Sequence, residues 1–256
     1  MSEPFTTAPS IRPERRSRRS RSPVLIVIPT YNEERNIVAV IEELRRTVPQ
    51  YDRLVVNDGA RDGTGRVVED MGERQLRLPC NLGYGGALQA GLRYAIRQDY
   101  EMVVTFDADG QHRAADVPNL VSALVEQNAD VVIGARFGRG RPYSGPLDRR
   151  IGQQLFSWLT ARITGKRIYD TTSGLKAMRR AACNVIVNAV FHNFHMETIV
   201  ALSLSGYNII EEPITVERRM YGRSMYSLRS IVAYPVQTFL VTAVVLVDVA
   251  LRRRFQ

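Results

Sequence analysis

Two carboxylates and one amide occupy alternating positions in a single short stretch of the chain, "DADGQH" at residues 107–112. Asp107, Asp109 and Gln111 directly follow an apolar run that ends at Phe106, and so they stand just beyond a predicted strand. Three oxygen donors at this spacing could hold Mg²⁺ or Mn²⁺, which prefer oxygen ligands, whereas zinc prefers nitrogen and sulfur. An acidic turn without a metal is the alternative, because Asp is common in turns.

Polar residues that could bind a ligand also follow three other apolar runs. The sequences at these places are "PTYNEE", "NDGARDGT" and "GAR". In a parallel sheet the carboxyl ends of the strands meet at one edge, where ligands bind. We therefore expect one set of side chains to converge there: Tyr31, Glu33, Asp58, Asp107, Asp109 and Arg136. Neighbouring carboxylates raise one another's pKa unless a cation or an Arg lies among them, which favours a metal site over a plain turn.

Short apolar strands alternate with amphipathic helices along the first half of the chain. The predicted strands are "VLIVIP", "RLVVND", "RQLRLP", "EMVVTF" and "ADVVIGA". Between them lie helical patterns, such as the apolar face formed by Ile37, Val40, Ile41 and Leu44. This alternation predicts an α/β fold with a mostly parallel sheet covered by helices on both faces. No unit of 20–50 residues repeats, which excludes a solenoid.

Composition narrows the class of protein and the kind of partner. The chain has 256 residues, enough for one domain with appendages. Its net charge of +9 predicts an anionic partner, such as a nucleic acid, a membrane surface or a phosphorylated substrate. No nucleic-acid partner is expected, because the chain has neither the aromatic and basic strands of an RNA-recognition sheet nor a helix-turn-helix. Cys80 and Cys183 form no metal or disulfide pattern, which favours a reducing compartment.

Five motifs in a fixed order carry a resemblance: "VIPTYNEE", "VVNDGARDGT", "NLGYGGALQAG", "DADGQH" and "DTTSGLKAMRR". Together they resemble the family-2 glycosyltransferases with the Rossmann-like GT-A fold, which binds nucleotide sugars. Within that family the chain is most similar to dolichyl-phosphate mannose synthases and bacterial polyprenyl-phosphate glycosyltransferases. The resemblance covers about residues 24–230, and the ordered set is more specific than any single motif.

The resemblance implies a GDP- or UDP-linked hexose donor and a divalent cation, Mg²⁺ or Mn²⁺. It places the donor at Pro29, Tyr31, Glu33, Asp58, Gly86 and Asp107, and the metal at Asp107, Asp109 and Gln111. Asp58 matches the carboxylate that accepts hydrogen bonds from the nucleobase edge. Two further interpretations stay open: Glu33 could cap a helix together with Thr30 as well as contact the donor, and Gly86 could belong to a plain helix-start turn.

The resemblance also implies an inverting transfer to a polyprenyl or dolichyl phosphate at the cytoplasmic face of the membrane. Such a phosphate is already an anion at pH 7 and needs cations rather than a general base. The candidates for this role are Arg136, Arg149, Arg150, Lys176 and Arg219, and the predicted catalytic residues are Asp107, Asp109, Arg136 and Arg219. Met225 stands where the family usually has Lys. The rival function is transfer to a saccharide or another soluble acceptor, which would require a carboxylate base.

Several other residues receive weaker interpretations. Asp170 and Glu197 match acidic family positions that shape the sugar or acceptor pocket. His192 and His195 are spaced like metal ligands but lack an evident third partner, so packing or surface roles are favoured. One helical pattern contains Leu155, Trp158 and Leu159, which we expect in the core rather than at a lipid surface.

Three regions follow from these patterns. Residues 1–22 form an Arg-rich arm that is expected to be disordered, either solvated or lying on a membrane surface. Residues 23–230 form the catalytic domain, and residues 231–256 a C-terminal apolar helix. As a helix, Val236–Leu251 would measure roughly 24 Å, short of the ~30 Å hydrocarbon core of a bilayer. An interfacial helix is therefore favoured, and a spanning helix that starts at Ile231 is the alternative.

Overall fold

In the computed structural model the chain is described at residues 22–138, 147–189, 194–217, 240–244 and 247, with the side chains of residues 147–151 excepted. The expectations for residues 1–21, for Arg219 and for most of Val236–Leu251 lie outside these residues. No helix within the described ranges combines the length and the apolar character needed to cross a bilayer.

Seven strands form one mixed sheet in which most neighbours are parallel. They are β1 Val24–Thr30, β2 Asp52–Asn57, β3 Gln75–Arg77, β4 Met102–Thr105, β5 Val131–Ala135, β6 Lys176–Arg179 and β7 Ile209–Pro213. The spatial order is β3-β2-β1-β4-β6-β5-β7. Among the strands in the described part of the chain, β6 alone runs antiparallel to its neighbours, β4 and β5. The prediction of an α/β fold with a mostly parallel sheet is confirmed, whereas β6 and β7 were not predicted as strands.

Helices cover both faces of this sheet, as expected. They are α1 Glu34–Thr47, α2 Thr64–Asp70, α3 Gly83–Arg97, α4 Val117–Glu126, α5 Leu147–Thr164, α6 Arg180–Val187 and α7 Met196–Leu204, with a short 3₁₀ turn at Ala114–Asp116. Alternate residues of β1 point to opposite faces. Ile26 and Ile28 join one core with α1 and α4, while Leu25 and Val27 join the other with α3, α6 and α7.

Helix α5 corrects one expectation about the core. Trp158 is 57% exposed and Leu155 is 41% exposed, so the prediction that both are buried is wrong. Leu159 does pack inward, against a small cluster that α5 shares with α7. The buried side of α5 carries Phe156 and Thr160, and the Thr160 hydroxyl donates to the Phe156 carbonyl at 2.8 Å. The inward side of α5 thus combines apolar and polar residues, while Leu155 and Trp158 lie on its outward side.

Candidate active site

The carboxyl ends of β1, β2 and β4 form one edge of the sheet, here called the carboxyl-end rim. The Asp58 N–H donates to the Thr30 carbonyl at 2.9 Å and joins the ends of β2 and β1. The Phe106 N–H donates to the Val27 carbonyl at 3.0 Å, so the end of β4 lies beside them. Tyr31, Asp58 and the residues that follow Phe106 therefore emerge on the same edge, as parallel pairing of these strands requires.

Asp58 is a buried carboxylate beneath a loop that leads into α3. Its Oδ1 accepts from the Leu82 N–H at 2.7 Å. Burial raises the pKa of Asp58 above its ordinary value, and the backbone N–H groups of Leu82 and Gly83 oppose that rise. Gly59 has a φ of 66°, and a Cβ on it would lie 2.6 Å from the Cys80 carbonyl carbon. A glycine at this turn thus lets the loop lie directly against the Asp58 backbone.

The remaining donor candidates on β1 differ in exposure. Pro29 is buried within the strand, whereas Tyr31 lies on the surface just after it. Glu33 is itself the N-cap residue of α1, and its carboxylate accepts from the side-chain amide of Asn36. The Thr30 hydroxyl donates to the Ile28 carbonyl at 3.1 Å. The alternative of a capping box between Thr30 and Glu33 is therefore wrong, because the helix begins three residues later than that arrangement needs.

Asp107 is held in place by two side chains that the sequence did not single out. The Tyr84 hydroxyl donates to Oδ1 at 3.0 Å, and Nε2 of His112 lies 3.1 Å from Oδ2. Burial works to raise the pKa of Asp107, but the contacts with His112 and Tyr84 and the charge of Lys176 outweigh it, so that pKa is lowered. Asp107 therefore remains an anion whose carboxylate has a fixed orientation.

Gly174 makes room for that carboxylate. A Cβ on this glycine would lie 2.0 Å from Oδ2 of Asp107, which is closer than any real contact. Each neighbour of Asp107 lies in a motif of the sequence, but the motifs do not show which residues contact one another. His112 is the last residue of "DADGQH", Tyr84 lies in "GYGG", and Gly174 lies in "TTSGL".

Asp109 and Gln111 share the turn that follows Asp107. Oδ1 of Asp109 accepts from the Gln111 backbone N–H at 3.1 Å, and Gly110 between them has a φ of 74°. Within the described ranges, no three His, Cys, Asp or Glu side chains are grouped to hold a metal ion. The predicted site has only two carboxylates, because its third donor is the Gln111 amide. Two carboxylates and an amide are all oxygen donors, so the residues fit Mg²⁺ or Mn²⁺.

Arg136 forms a forked ion pair with the fully buried Asp170. Its Nε lies 2.8 Å from Oδ2 and its Nη2 lies 2.9 Å from Oδ1, while Nη2 also contacts the Thr172 hydroxyl at 2.7 Å. Burial works to raise the pKa of Asp170, but the Arg136 guanidinium outweighs it and lowers that pKa. The pair fixes the direction of the guanidinium at the end of β5.

Lys176 lies inside the same region rather than on its surface. It is 5% exposed, and its Nζ donates to the carbonyls of Ser173 and Phe194. Burial lowers the pKa of Lys176 to about 8, with Asp170 and Asp107 opposing the shift. The ammonium group therefore links the segments that contain Ser173 and Phe194, and it interacts electrostatically with Asp170 and Asp107.

The first residues of α7 and its N-cap residue, His195, lie beside Lys176 and Tyr84. Glu197 is fully buried, and burial raises its pKa, with the backbone N–H groups of Glu197 and His195 opposing the rise. The His195 ring stacks on Tyr84 with 6.4 Å between ring centroids. Burial, followed by the charge of Lys176, lowers the pKa of His195 to about 3, so the ring is neutral and packs, as was favoured.

Three of the predicted acceptor cations are not positioned in detail. Arg149 and Arg150 lie in the first turn of α5, where the structure gives the backbone only. Arg219 and His192 lie outside the described residues. The charge of Lys176 helps to lower the pKa of Asp107, and the charge of Arg136 acts on the pKa of Tyr84, whose hydroxyl donates to Asp107. In the described site, the DADGQH turn therefore lies against the segment of residues 170–176, where Gly174 is next to Asp107.

Comparison with family models and curated proteins places the chain among sugar transferases. The model of Glycosyl transferase family 2 matches residues 25–187. An undecaprenyl-phosphate mannosyltransferase of Micrococcus luteus is 33% identical over 214 residues, which cover 80% of this chain and 87% of that protein. A polyprenol monophosphomannose synthase of Mycolicibacterium smegmatis is 29% identical, over 79% of this chain and 80% of that protein.

Solved structures share the fold at lower identity. Glucosyl-3-phosphoglycerate synthase of Mycobacterium tuberculosis, in complex with phosphoglyceric acid, superposes with a TM-score of 0.68 at 19% identity. The match covers 88% of this chain and 81% of that one. The same enzyme with Mn²⁺, UDP and glucosyl-3-phosphoglycerate gives a TM-score of 0.66 at 20% identity, with the same coverage. These matches agree with the expected GT-A-like arrangement.

Proposed function

Because the chain belongs to glycosyl transferase family 2 and is a glycosyltransferase, we propose that it moves a hexose from a GDP- or UDP-linked sugar to a polyprenyl phosphate. The observation that carries the proposal is the carboxyl-end rim, where the buried Asp58 and the oriented Asp107 follow neighbouring parallel strands. The names of the relatives support the acceptor class, since they specify undecaprenyl phosphate and polyprenol monophosphate as the groups that carry the mannose.

Asp58 and the rim of β1 would bind the nucleotide half of the donor. A carboxylate offers about four lone-pair sites, and the backbone N–H groups of Leu82, at 2.7 Å, and Gly83 occupy part of them. The others can accept from the N–H edge of uracil or guanine. Pro29, Tyr31 and Glu33 lie at or just beyond the end of β1, Gly86 lies in the first turn of α3, and we assign all four to the proposed donor site.

Asp107, Asp109 and Gln111 would hold Mg²⁺ or Mn²⁺ beside the diphosphate. A bound divalent cation neutralises the negative charge that develops on the departing diphosphate. To bind the cation, the carboxylates must be ionised and correctly oriented. For Asp107 the contacts with Tyr84 and His112 provide this. Metal complexes of the fold neighbour, which contain Mn²⁺ or Mg²⁺ together with UDP, support this choice of cation.

The cations of the second half would receive the acceptor phosphate. Arg136 is partly exposed and its guanidinium is oriented by Asp170, so its positive charge can attract a phosphate group. We assign Arg149, Arg150 and Arg219 to the same phosphate, while the enclosed Lys176 adds positive charge from inside the domain. These cations would hold the acceptor phosphate in line with the sugar carbon that it attacks. No general base is needed, because the phosphate is already an anion.

The rival acceptor, a sugar hydroxyl or another soluble alcohol, would need a carboxylate base. In the segment that borders the acceptor cations, Asp170 is occupied by Arg136 and Glu197 is fully buried. Neither of these two carboxylates is therefore positioned to take a proton from an incoming hydroxyl. This arrangement favours an acceptor that is already an anion.

We also propose that the protein attaches to the membrane, because the polyprenyl chain of the acceptor stays in the bilayer. In the described part of the C-terminal region, Leu240, Val244 and Val247 are exposed at a spacing of four and three residues, whereas Thr242 is buried. An outward apolar stripe of this kind suits an interfacial helix in residues 231–256. With the Arg-rich arm of residues 1–22 and the catalytic domain of residues 23–230, it would hold the enzyme at the cytoplasmic face.

An acceptor competition assay tests the proposal. The purified protein receives radiolabelled GDP- and UDP-hexoses with Mg²⁺, together with a polyprenyl phosphate, 3-phosphoglycerate and a disaccharide in equal amounts. We expect label in the organic-extractable lipid with one of the nucleotides. Label confined to a water-soluble product would overturn the lipid acceptor and leave the glycosyltransferase assignment intact.

A further inference from the structure

Glu211 is a carboxylate on β7 that holds the backbone of a neighbouring segment. Its Oε1 accepts from the Asp170 N–H at 2.7 Å, and both of its oxygens accept from the Tyr169 N–H at 2.9 Å. Residues 169 and 170 lie between α5 and β6, so no helix or strand of the described chain fixes their backbone. Hydrogen bonds to an ionised acceptor are about twice as strong as neutral ones. Glu211 therefore sets the position of this segment.

One of the two residues that Glu211 holds is the residue that orients Arg136. Asp170 is fully buried, and its carboxylate accepts from the Arg136 backbone N–H at 3.0 Å, from Nε at 2.8 Å and from Nη2 at 2.9 Å. Through these bonds the position of Asp170 decides the direction of the guanidinium. Arg136 directly follows β5, and β5 pairs with β7 so that Ile133 lies opposite Glu211. The sheet thus brings both ends of this series of contacts together.

The charge of Glu211 has a cost that a plain backbone cap would not need. Burial raises the pKa of Glu211, the N–H groups of Asp170 and Tyr169 oppose that rise, and the charge of Asp170 adds to it. Two neighbouring carboxylates repel each other, whereas a neutral amide oxygen could accept a backbone N–H without this repulsion. The stronger bonds of a charged acceptor offset the cost, and they act on the segment that carries Asp170.

We propose that Glu211 is a positioning residue for the acceptor phosphate, acting through Asp170 on the Arg136 guanidinium. The inference rests on the proposed function, in which Arg136 attracts that phosphate. When the bonds to Glu211 weaken, residues 169–170 can shift, and the guanidinium shifts with them because it is bonded to Asp170. The donor site should not change, since three strands separate β2, which carries Asp58 at its end, from β5.

Steady-state kinetics with a short-chain polyprenyl phosphate in detergent test this role. Glu211→Gln removes the charge and replaces one accepting oxygen with an NH₂ group. We expect the acceptor KM to rise about tenfold, the scale of one hydrogen bond to a charged group, while kcat changes less than about twofold. Calorimetric affinities for UDP and GDP should be unchanged. The matched control is Glu212→Gln on the same strand, whose carboxylate accepts from the Gln127 amide at 2.8 Å, and it should keep the acceptor KM.

A double-mutant cycle separates positioning from a merely structural role. Arg136→Lys keeps a positive charge but loses the fork to Asp170, so it should raise the acceptor KM by itself. Adding Glu211→Gln to Arg136→Lys should raise the KM no further, because the oriented guanidinium is already absent. Glu211→Asp keeps the charge and should raise the KM only about threefold. It takes the place of Glu211→Gln in the cycle if that variant is unfolded.

Two results would overturn the inference and leave the proposed function intact. One is an unchanged acceptor KM for Glu211→Gln. The other is a double variant in which the two effects multiply, since independent effects mean that Glu211 supports the fold rather than Arg136. An unchanged acceptor KM for Arg136→Lys would instead remove Arg136 from the proposed acceptor site, and the role of Glu211 would fail with it.

Discussion

Asp58 illustrates how a single buried carboxylate can set nucleotide affinity. Its backbone N–H fixes it to β1, and its Oδ1 is fixed by Leu82, so the side chain is oriented before a ligand arrives. Asp58→Asn keeps an acceptor for Leu82 but removes the charge that would face the base. We expect UDP or GDP to bind more weakly by ~1–3 kcal/mol, the cost of losing a charged acceptor. Calorimetric titration measures this directly.

The control for that experiment is Asp70→Ala, which alters an exposed carboxylate at the end of α2. It should leave both nucleotide affinities unchanged. Equal affinities of the Asp58→Asn variant and the unmodified protein would remove Asp58 from the donor site.

Gly174 allows the orientation of Asp107 to be tested without touching Asp107. An added methyl group at 2.0 Å from Oδ2 must displace the carboxylate from Tyr84 and His112. Gly174→Ala should lower the transfer rate ~100-fold, as a misplacement of about 1 Å can do in an active site. The matched control is Gly152→Ala in α5, where a Cβ meets no atom within 4 Å.

The control should keep full activity, and thermal unfolding should show that both variants remain folded. Undiminished transfer by Gly174→Ala would mean that the position of the Asp107 carboxylate does not govern the rate.

At the scale of elements, α6 shows how burial in the core can raise the pKa of a thiol and lower its reactivity. Cys183 faces the core from α6, and burial raises its pKa to about 12, whereas Cys80 is exposed. In native protein at pH 8 we expect a thiol reagent to label one cysteine, and two after denaturation. The unfolded thiol loses its proton above its ordinary pKa of 9.0, so burial of Cys183 contributes stability that is lost as pH rises from 9.0 to about 12. Fast labelling of both thiols in native protein would contradict this account of α6.

The elements of the first half could be predicted because each has its own local pattern. The seven buried residues of β1 and the apolar face of α1 follow directly from their sequences. Helix α5 also has an apolar periodicity, but periodicity does not say which partner an apolar side chain meets, so the expectation that Trp158 is buried is wrong. The contacts of Tyr84 and Gly174 with Asp107 join residues far apart in sequence, so no local pattern contains them.

At the scale of the whole molecule, the ends of the chain are assigned to membrane attachment. Leu240 and Val244 are exposed and lie on the outward stripe of the C-terminal region, so their replacement should not disturb the core. The double substitution Leu240→Ser and Val244→Ser should weaken vesicle binding at least about tenfold, because two aliphatic side chains lose their apolar phase. High salt should weaken the remaining binding further without abolishing it. Vesicle sedimentation with Val125→Ser as the control decides the point, and unchanged binding would assign the stripe to packing.

The most direct test of the central claim, metal-dependent hexose transfer at the Asp107–Asp109 turn, is the initial rate of radiolabel incorporation into polyprenyl phosphate. We predict that excess EDTA abolishes incorporation and that Mg²⁺ or Mn²⁺ restores it. Asp109→Asn, which keeps the shape of the side chain and removes its charge, should lower the rate at least ~100-fold in the presence of metal. Full incorporation in excess EDTA, or an unchanged rate for Asp109→Asn, would contradict the account.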